Sequence, residues 1–315
     1  MNTIWPKEHL TLSATELEKI REQLQPDFSR LLKSQKLPEE LTFLLDDLYL
    51  PLSAWLVGQC KKDKPLLVGI NGSQGSGKST LCHLLKFLFE VGFDLKSCVL
   101  SIDDLYLTHA ERQQLGRDIH PLLVTRGVPG THDIPLALEV FDRLIHATED
   151  LTTPIPRFDK ASDDRLPRQG WDLFRGRPDL ILFEGWCVGA APQAQPELEL
   201  PVNLLEEQED ATGRWREYVN QQLSGPYQKL FDRLDLLMML KVPDWQQVYQ
   251  WRRKQEKQLI ACNPTGTRIM DDDALHRFIM HYERLTRHQL DEMPGRADLL
   301  LLLNAAQQID SIELK

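Results

Sequence analysis

The sequence lacks the features that mark secreted, zinc-binding and membrane-spanning chains. Its 315 residues include five cysteines and no Cys-x-x-Cys pair, so neither a disulfide framework nor a zinc site is expected. The N-terminus has no basic flank followed by an apolar segment, which argues against a signal peptide. Apolar runs such as Leu299–Leu303 are far shorter than the roughly 20 residues that a membrane span requires. We therefore expect a cytoplasmic protein without a membrane partner.

Positive charge is also scarce in this chain. It has 37 Lys and Arg residues against 47 Asp and Glu residues, which gives a formal net charge of −10. An acidic surface repels polyanions, so the composition argues against nucleic acid as a partner, although local basic clusters can still hold phosphate groups. The length suits one large α/β domain plus an extension.

One short segment matches a chemical motif at every position. The phosphate-binding loop pattern Gly-x-x-x-x-Gly-Lys-Ser is met by Gly72, Ser73, Gln74, Gly75, Ser76, Gly77, Lys78 and Ser79. A predicted strand over residues 65–70 precedes the loop, and a predicted helix from Thr80 follows it. In that context, successive backbone N–H groups surround an anion at a helix N-terminus. The motif predicts a nucleoside triphosphate site in which Lys78 reaches the β- and γ-phosphates and the Ser79 hydroxyl binds magnesium.

Strand and helix patterns alternate along the rest of the chain. The apolar runs typical of buried parallel strands lie at residues 65–70, 97–102, 180–183, 236–242 and 299–303. This alternation predicts the three-layer α/β fold of P-loop NTPases, a five-stranded parallel sheet with helices on both faces. Residues 1–64 read as a helical extension packed on this core, with an interaction surface as the alternative, and residues 65–315 as the P-loop domain.

Acidic side chains follow two of the predicted strands. Asp103 and Asp104 come after the second strand, and Glu184 comes directly after the third. Because open α/β sheets bind ligands at the carboxyl ends of their strands, these carboxylates are candidates for magnesium binding, water positioning or proton transfer. The structural alternative is a helix N-cap or a solvated turn residue for the two aspartates, and a surface ion pair for Glu184.

Other polar segments admit two interpretations from the residues alone. The Gly- and Pro-rich segment 126–133 and the mixed-charge segment 156–165 are either solvated loops or parts of a substrate pocket. Arg252 and Arg253, on a predicted helix, form either a solvated face or a lid that clamps phosphate. Pro, Gln and Glu dominate residues 190–210, which is typical of a long, mobile loop.

Taken together, these segments resemble the phosphoribulokinase/uridine kinase group of P-loop kinases. The resemblance covers the chain from about Leu66 onward. It implies that Asp103, in the run Asp-Asp-Leu-Tyr that ends at Tyr106, is the counterpart of the catalytic base. It also implies that Glu184 is the acid of the acid-Gly pair after the third strand, and that Arg252 and Arg253 are lid arginines.

Within that group, the motifs are most similar to the D-glycerate 3-kinase branch. Residues 126–133 are similar to its acceptor-side loop, and residues 156–160, Pro-Arg-Phe-Asp-Lys, resemble its Pro-Arg-Tyr-Asp-Lys stretch. The chain departs from the branch at residues 162–165, where the branch has a Gly-rich segment. The acceptor-side residues that the resemblance implies are Asp103, Tyr106, Arg126, His132, Asp133, Arg157, Asp159, Lys160 and Arg165.

These features predict an ATP-dependent kinase that uses magnesium and phosphorylates a small acceptor. Residues 72–80, Gly72 to Thr80, would surround the phosphates with Arg252 and Arg253 above them, while Lys78, Asp103, Glu184 and Arg252 would carry catalysis. Ser79, Glu184 and Asp103 are the candidate metal ligands. The basic residues alone leave D-glycerate and ribulose 5-phosphate open as acceptors, and the resemblance favours D-glycerate, which would yield 3-phosphoglycerate. Uridine and pantothenate kinases, or a regulatory P-loop NTPase, are the alternatives, although the guanine-reading Asn-Lys-x-Asp motif is absent.

Overall fold

The computed structural model describes residues 4–35, 37–262 and 272–315. The helices are α1 (Ala14–Ser34), α2 (Leu50–Gln59), α3 (Lys78–Phe87), α4 (His109–Asp118), α5 (Ile134–Ile145), α6 (Leu204–Glu209), α7 (Arg214–Gln222), α8 (Gln228–Phe231), α9 (Trp245–Cys262) and α10 (Asp272–Glu292). The strands are β1 (Leu66–Gly72), β2 (Ser97–Ser101), β3 (Thr152–Ile155), β4 (Phe158–Asp159), β5 (Asp164–Arg165), β6 (Asp172–Arg175), β7 (Leu180–Gly185), β8 (Leu236–Lys241), β9 (Leu299–Leu303) and β10 (Ile309–Leu314).

A six-stranded sheet in the order β10-β9-β8-β1-β7-β2 forms the centre of the molecule. Strands β2, β7, β1, β8 and β9 are parallel, which confirms the five-stranded parallel sheet expected from the sequence. Strand β10 adds an antiparallel edge that the apolar patterns did not indicate. Two small antiparallel pairs, β3 with β6 and β4 with β5, lie outside this sheet.

Alternate side chains of the central strands face two separate cores. In β7, Leu180 and Leu182 belong to one apolar cluster, and Ile181 and Phe183 belong to the other. This follows from the two-residue side-chain period of a strand, and it explains why parallel strands covered on both faces read as continuous apolar runs. The α/β three-layer architecture predicted from the sequence is thereby confirmed.

The N-terminal helices share one of these two cores. Leu24 and Phe28 of α1 and Leu52 of α2 are buried in the same cluster as Val68 of β1 and Leu84 of α3. The run Ser-Ala-Thr-Glu over residues 13–16 predicts a capping box, and helix α1 begins with one, in which Ser13 and Glu16 exchange hydrogen bonds. A domain boundary at residue 64 stays a prediction, since apolar packing is continuous across that point.

The acidic segment over residues 190–213 is packed, contrary to the expectation of a mobile loop. It contains helix α6, and Glu206 of this helix is fully buried beside Arg284 of α10. The Arg284 guanidinium donates to both Glu206 carboxylate oxygens, at 2.7 and 2.6 Å, and to the carbonyl oxygens of Glu197 and Leu200. Composition misled here because the charged residues of this segment have buried partners far away in the sequence.

No helix among the residues that the structure describes is both long and apolar enough to cross a membrane. The sequence predicts a last helix that opens at residues 270–273 and has Leu275 and Ile279 on its apolar face. Of this opening, Met270 and Asp271 lie outside the described residues. Within the described part, helix α10 begins at Asp272 and carries the expected buried residues, including Leu275 and Ile279.

Removing Arg284 leaves the Glu206 carboxylate buried without a counter-charge. We expect Arg284→Ala to lower the free energy of unfolding by about 3–5 kcal/mol. The matched control is Arg143→Ala, which removes an exposed ion pair with Glu139 one helical turn away and costs less than about 1 kcal/mol. Urea unfolding of both variants measures the difference, and equal losses would contradict the anchoring role of the buried pair.

Candidate active site

The register of the parallel strands brings the predicted site residues to one edge of the sheet. Glu184 of β7 lies opposite Ile70 of β1 on one side and opposite Ser101 of β2 on the other. The phosphate-binding loop leaves β1 at Gly72, and Asp103 follows β2 by two residues. Loop, acid and candidate base therefore start from adjacent strand ends, as the sequence predicted.

The loop between β1 and α3 has the backbone shape that an anion requires. Gly77 is the N-cap of α3 and has a φ of 88°, in the left-handed region that favours glycine. A Cβ at Gly72 would lie 2.5 Å from Ser76 Oγ, so the tight turn excludes a side chain there. Gln307, in the turn between β9 and β10, donates from Nε2 to the carbonyl oxygen of Gly75 at 2.8 Å and supports the loop from outside. The helix N-terminus and its free N–H groups thus face an anion position.

Ser79 and Glu184 supply the oxygens that a magnesium ion would need. The Ser79 hydroxyl donates to Glu184 Oε1 at 2.8 Å, and Glu184 Oε2 is buried without a partner among the described residues. The described residues contain no group of three or more His, Cys, Asp or Glu side chains that could hold a metal. Two protein oxygens still fit Mg²⁺, because in phosphoryl-transfer sites this ion keeps several waters and binds substrate phosphates.

Asp103 lies in a 3₁₀ turn over Ile102–Leu105 that follows β2. Lys160 Nζ donates to its Oδ2 at 2.9 Å, and the Tyr106 hydroxyl donates to its Oδ1 at 3.1 Å. Burial raises the pKa of Asp103, but the charges of Lys160 and Lys78 outweigh burial and lower the pKa to about 2. Because its pKa is depressed, Asp103 is ionised at any pH above the ordinary carboxyl pKa of 3.8. It loses its charge only as the pH falls toward 2.

The loop over residues 126–133 is held against the chain that follows Asp103. The N–H of Leu107 donates to the carbonyl oxygen of Thr131 at 2.9 Å, and the N–H of Asp133 donates to that of Leu105 at 2.7 Å. This pairing stacks the His132 ring on the Tyr106 ring, with centroids 4.4 Å apart. Two of the predicted acceptor-side residues are thus adjacent to Asp103.

Several other predicted acceptor-side residues are engaged within the protein. Arg157 donates to Asp104 at 2.5 Å and to Asp172 at 2.6 Å. Asp133 caps α5 by accepting from the N–H of Leu136, and it also accepts from Arg165 at 2.8 Å. Direct contact of Arg157, Asp133 or Arg165 with an acceptor stays a prediction.

Two further members of the predicted acceptor set have local partners. Asp159 accepts from the N–H groups of Ala161 and Ser162 and so shapes the turn between β4 and β5. Arg126 forms an ion pair with Asp163 and lies over the Phe158 ring at 5.5 Å. Both residues organise the loop around Lys160, and their contact with an acceptor stays a prediction.

The two arginines of α9 occupy different surroundings. Arg253 donates to Asp272 of α10 at 2.6 Å, as expected for an ion-paired helix face. Arg252 lies over the Phe278 ring at 5.9 Å. Helix α9 is tied to the turn that carries Gln307, because Trp251 Nε1 donates to the carbonyl oxygen of Ala305 at 3.1 Å. Phosphate binding by either arginine stays a prediction.

Tyr227 is a site neighbour that sequence reasoning missed. Its hydroxyl lies 2.6 Å from His132 Nδ1 and accepts a hydrogen bond from the N–H of Gly130 at 2.9 Å. Nothing in the local sequence marks this tyrosine, since its two partners lie more than ninety residues away along the chain. Tyr227 ends the π-helical turn Leu223–Tyr227 between α7 and α8, and the packing of this turn against the loop over residues 126–133 brings the three together.

Comparison of the sequence with known proteins shows the family to which this chain belongs. The chain is 32% identical over 252 residues to "D-glycerate 3-kinase, chloroplastic" of Arabidopsis thaliana, covering 74% of this chain and 52% of that protein. It is 33% identical over 233 residues to "Uncharacterized kinase mug58" of Schizosaccharomyces pombe, covering 70% of this chain and 79% of that protein. The chain thus spans about half the length of the Arabidopsis protein. No protein-family model matches the chain.

A solved structure agrees with these relatives. The D-glycerate 3-kinase of Cryptococcus neoformans superposes with a TM-score of 0.67 at 27% identity, covering 85% of this chain and 96% of that one. Three features together define the chain as a P-loop kinase: its three-layer α/β fold, its phosphate-binding loop, and the carboxylates at the ends of its parallel strands. Within these kinases it belongs to the D-glycerate 3-kinase-like branch, as the motif resemblance indicated.

Proposed function

We propose that this protein is an ATP-dependent kinase that transfers the γ-phosphate to a hydroxyl of D-glycerate, giving 3-phosphoglycerate. The proposal rests mainly on the surroundings of Asp103. It is an ionised carboxylate beside the phosphate-binding loop, bonded to Lys160 and Tyr106 on the acceptor side. A carboxylate in this position accepts the proton of an acceptor hydroxyl as that oxygen attacks phosphorus.

On the nucleotide side, the chain supplies positioning and positive charge. The N–H groups of the loop at the N-terminus of α3 bind the phosphates, and Lys78 approaches the β- and γ-phosphates. Ser79 and Glu184 would hold magnesium, which would supply positive charge to neutralise the charge that develops on the transferred phosphate. Glu184 Oε2 is buried and has no partner in the part of the chain that the structure describes. This supports the role, because a buried carboxylate oxygen is costly unless a cation or a water pairs with it.

On the acceptor side, the site offers groups that suit a small hydroxy acid. D-Glycerate has one carboxylate and two hydroxyls, and cationic side chains bind carboxylates through charge-assisted hydrogen bonds. Lys160 provides positive charge beside Asp103, Arg126 provides it over the Phe158 ring, and the buried His132 provides a neutral imidazole for a hydroxyl or carboxylate oxygen. The names of the Arabidopsis and Cryptococcus relatives support D-glycerate over the other acceptors of P-loop kinases.

Glu184→Gln keeps the size of the side chain and an oxygen for Ser79 but removes the charge. We expect the Mg²⁺ concentration for half-maximal activity to rise about 10–100-fold, the usual cost of weakening a metal's supporting groups. Titration of Mg²⁺ at fixed ATP measures the change. Glu90→Gln, which alters an exposed pair with Lys86 after α3, is the control and should behave as the parent. An unaltered Mg²⁺ requirement in Glu184→Gln would remove this residue from the metal site.

Asp103→Asn removes the proposed base while keeping its size. We expect kcat to fall by about 10²–10⁴, the usual scale of general-base catalysis, with ATP affinity within a few-fold of the parent. Steady-state kinetics and nucleotide-binding titration give the two values. Near-normal kcat in this variant would assign the carboxylate a positioning role only.

The acceptor is tested by kcat/KM for D-glycerate, ribulose 5-phosphate, uridine and pantothenate under one set of conditions. We expect D-glycerate to be preferred, because Lys160 beside Asp103 presents positive charge for a carboxylate and the names of the D-glycerate 3-kinase relatives favour this acceptor over ribulose 5-phosphate. Lys78→Ala, which removes the lysine of the phosphate-binding loop, is the negative control for kinase turnover. If another acceptor stimulated ADP release and D-glycerate did not, the acceptor assignment would fail while the kinase assignment would stand.

A further inference from the structure

The His132 ring has one nitrogen bonded inside the protein and one that is not. Nδ1 lies 2.6 Å from the Tyr227 hydroxyl, whereas Nε2, on the other side of the ring, is buried and has no partner among the described residues. Only 4% of His132 is exposed, and its ring is stacked on Tyr106, whose hydroxyl is bonded to Asp103. The unpartnered nitrogen therefore belongs to a buried residue next to the proposed base.

Hydrogen-bond accounting at Tyr227 decides which nitrogen of His132 carries the hydrogen. Tyr227 is fully buried, and its oxygen already accepts the Gly130 N–H. If Nδ1 carried the hydrogen and donated to this oxygen, the hydroxyl hydrogen and the Nε2 lone pair would both be unpaired. If the hydroxyl donates to Nδ1 instead, the Nε2–H alone is unpaired. Buried polar groups are rarely left without partners, so the second arrangement is favoured.

The charge state of the ring agrees with this arrangement. Burial lowers the pKa of His132 to about 3, against the opposing effect of the nearby Asp103 carboxylate. The imidazole is therefore neutral at neutral pH, with a hydrogen on one nitrogen only. A neutral ring held as the Nε2–H form offers a donor, not an acceptor, on its unpaired side.

We infer that Tyr227 is a positioning residue: its hydroxyl holds His132 as the Nε2–H tautomer, and this N–H donates to an oxygen of the bound acceptor. The second half of the inference rests on the proposed function. Tyr227 does not touch the reacting atoms and acts only through His132. The loop contact between Gly130 and Tyr227 links the same hydroxyl to the backbone that carries His132, so one side chain sets both the position and the tautomer of the ring.

The test compares Tyr227→Phe with Tyr218→Phe in the full chain. Phe keeps the ring that packs against Phe231 and removes only the hydroxyl. Tyr218 also lies beside Gly130, but it makes no hydrogen bond to His132, so its variant controls for loss of a tyrosine hydroxyl near this loop. Two-bond ¹H–¹⁵N spectra of protein labelled with ¹⁵N-histidine report which ring nitrogen carries the hydrogen. The His132 signals are those lost in His132→Gln.

The parent and Tyr218→Phe should show the Nε2–H tautomer for His132, and Tyr227→Phe should lose that preference. In Tyr227→Phe the KM for D-glycerate should rise roughly tenfold, as for loss of a buried hydrogen bond, while the KM for ATP stays within about twofold. An Nδ1–H tautomer in the parent, or an acceptor KM unaffected by Tyr227→Phe, would overturn the inference. If the Tyr227 hydroxyl had a purely structural role, the KM values for D-glycerate and for ATP would rise together in Tyr227→Phe. That result would also overturn the inference.

The spectra need no substrate, so they separate this inference from the proposed function. If the parent does not phosphorylate D-glycerate, the proposed function fails. The tautomer result then still decides whether Tyr227 orients His132, and the KM comparison is made with the acceptor that the panel identifies.

Discussion

Parallel pairing of β1, β7 and β2 is the constraint on which the active site depends. Backbone hydrogen bonds fix Glu184 opposite Ile70 and Ser101, and a strand cannot slip by one residue without turning its side chains to the wrong core. The two apolar clusters enforce this register from both faces of the sheet. The phosphate loop, Glu184 and Asp103 are therefore placed by the packing of the sheet beneath them, and the loops need only local geometry to bring their side chains together.

On the acceptor side, ion pairs position the loops, whereas strand register positions the residues on the nucleotide side. Asp104 binds Arg157 and the N–H of Phe158, which fastens β4 to the end of β2. Asp133 and Arg165 join the start of α5 to β5 in the same way. These pairs are partly buried and so are less screened than surface pairs. The loop that carries Lys160 is consequently held toward Asp103 by the carboxylates and arginines around it.

The sequence predicted those parts of the fold and site that depend on local patterns. Continuous apolar runs identified the five parallel strands, and the Gly-x-x-x-x-Gly-Lys-Ser motif identified the phosphate loop. Asp103 and Glu184 became candidates because each directly follows an apolar run. Strand β10 was missed because its residues, Ile-Asp-Ser-Ile-Glu-Leu, are half polar and the preceding turn has no Asn-Gly or Asp-Gly sequence. Tyr227 and the pairs made by Arg157 and Arg284 were also missed, since each partner lies far away in the sequence and only tertiary packing selects it.

The hydrogen bonding of buried polar groups differs between the site and the rest of the molecule. Arg112 is fully buried, yet its guanidinium donates to three backbone carbonyl oxygens and pairs with Asp163. Around the phosphate loop, by contrast, the hydroxyls of Ser73 and Ser76 and the Oε2 of Glu184 are buried without described partners.

An unpaired buried group also occurs away from the site, but in a different setting. Trp215 and His281, whose Nε1 and Nε2 atoms are buried without partners among the described residues, line a cavity of about 20 Å³, which has room for one water. At the strand ends, the unpaired atoms are instead those that a phosphate, a cation or an acceptor oxygen would complete. A ligand that pairs with such buried polar atoms binds more tightly than an analogue that leaves them unpaired, so atoms of this kind are suited to selecting between substrates.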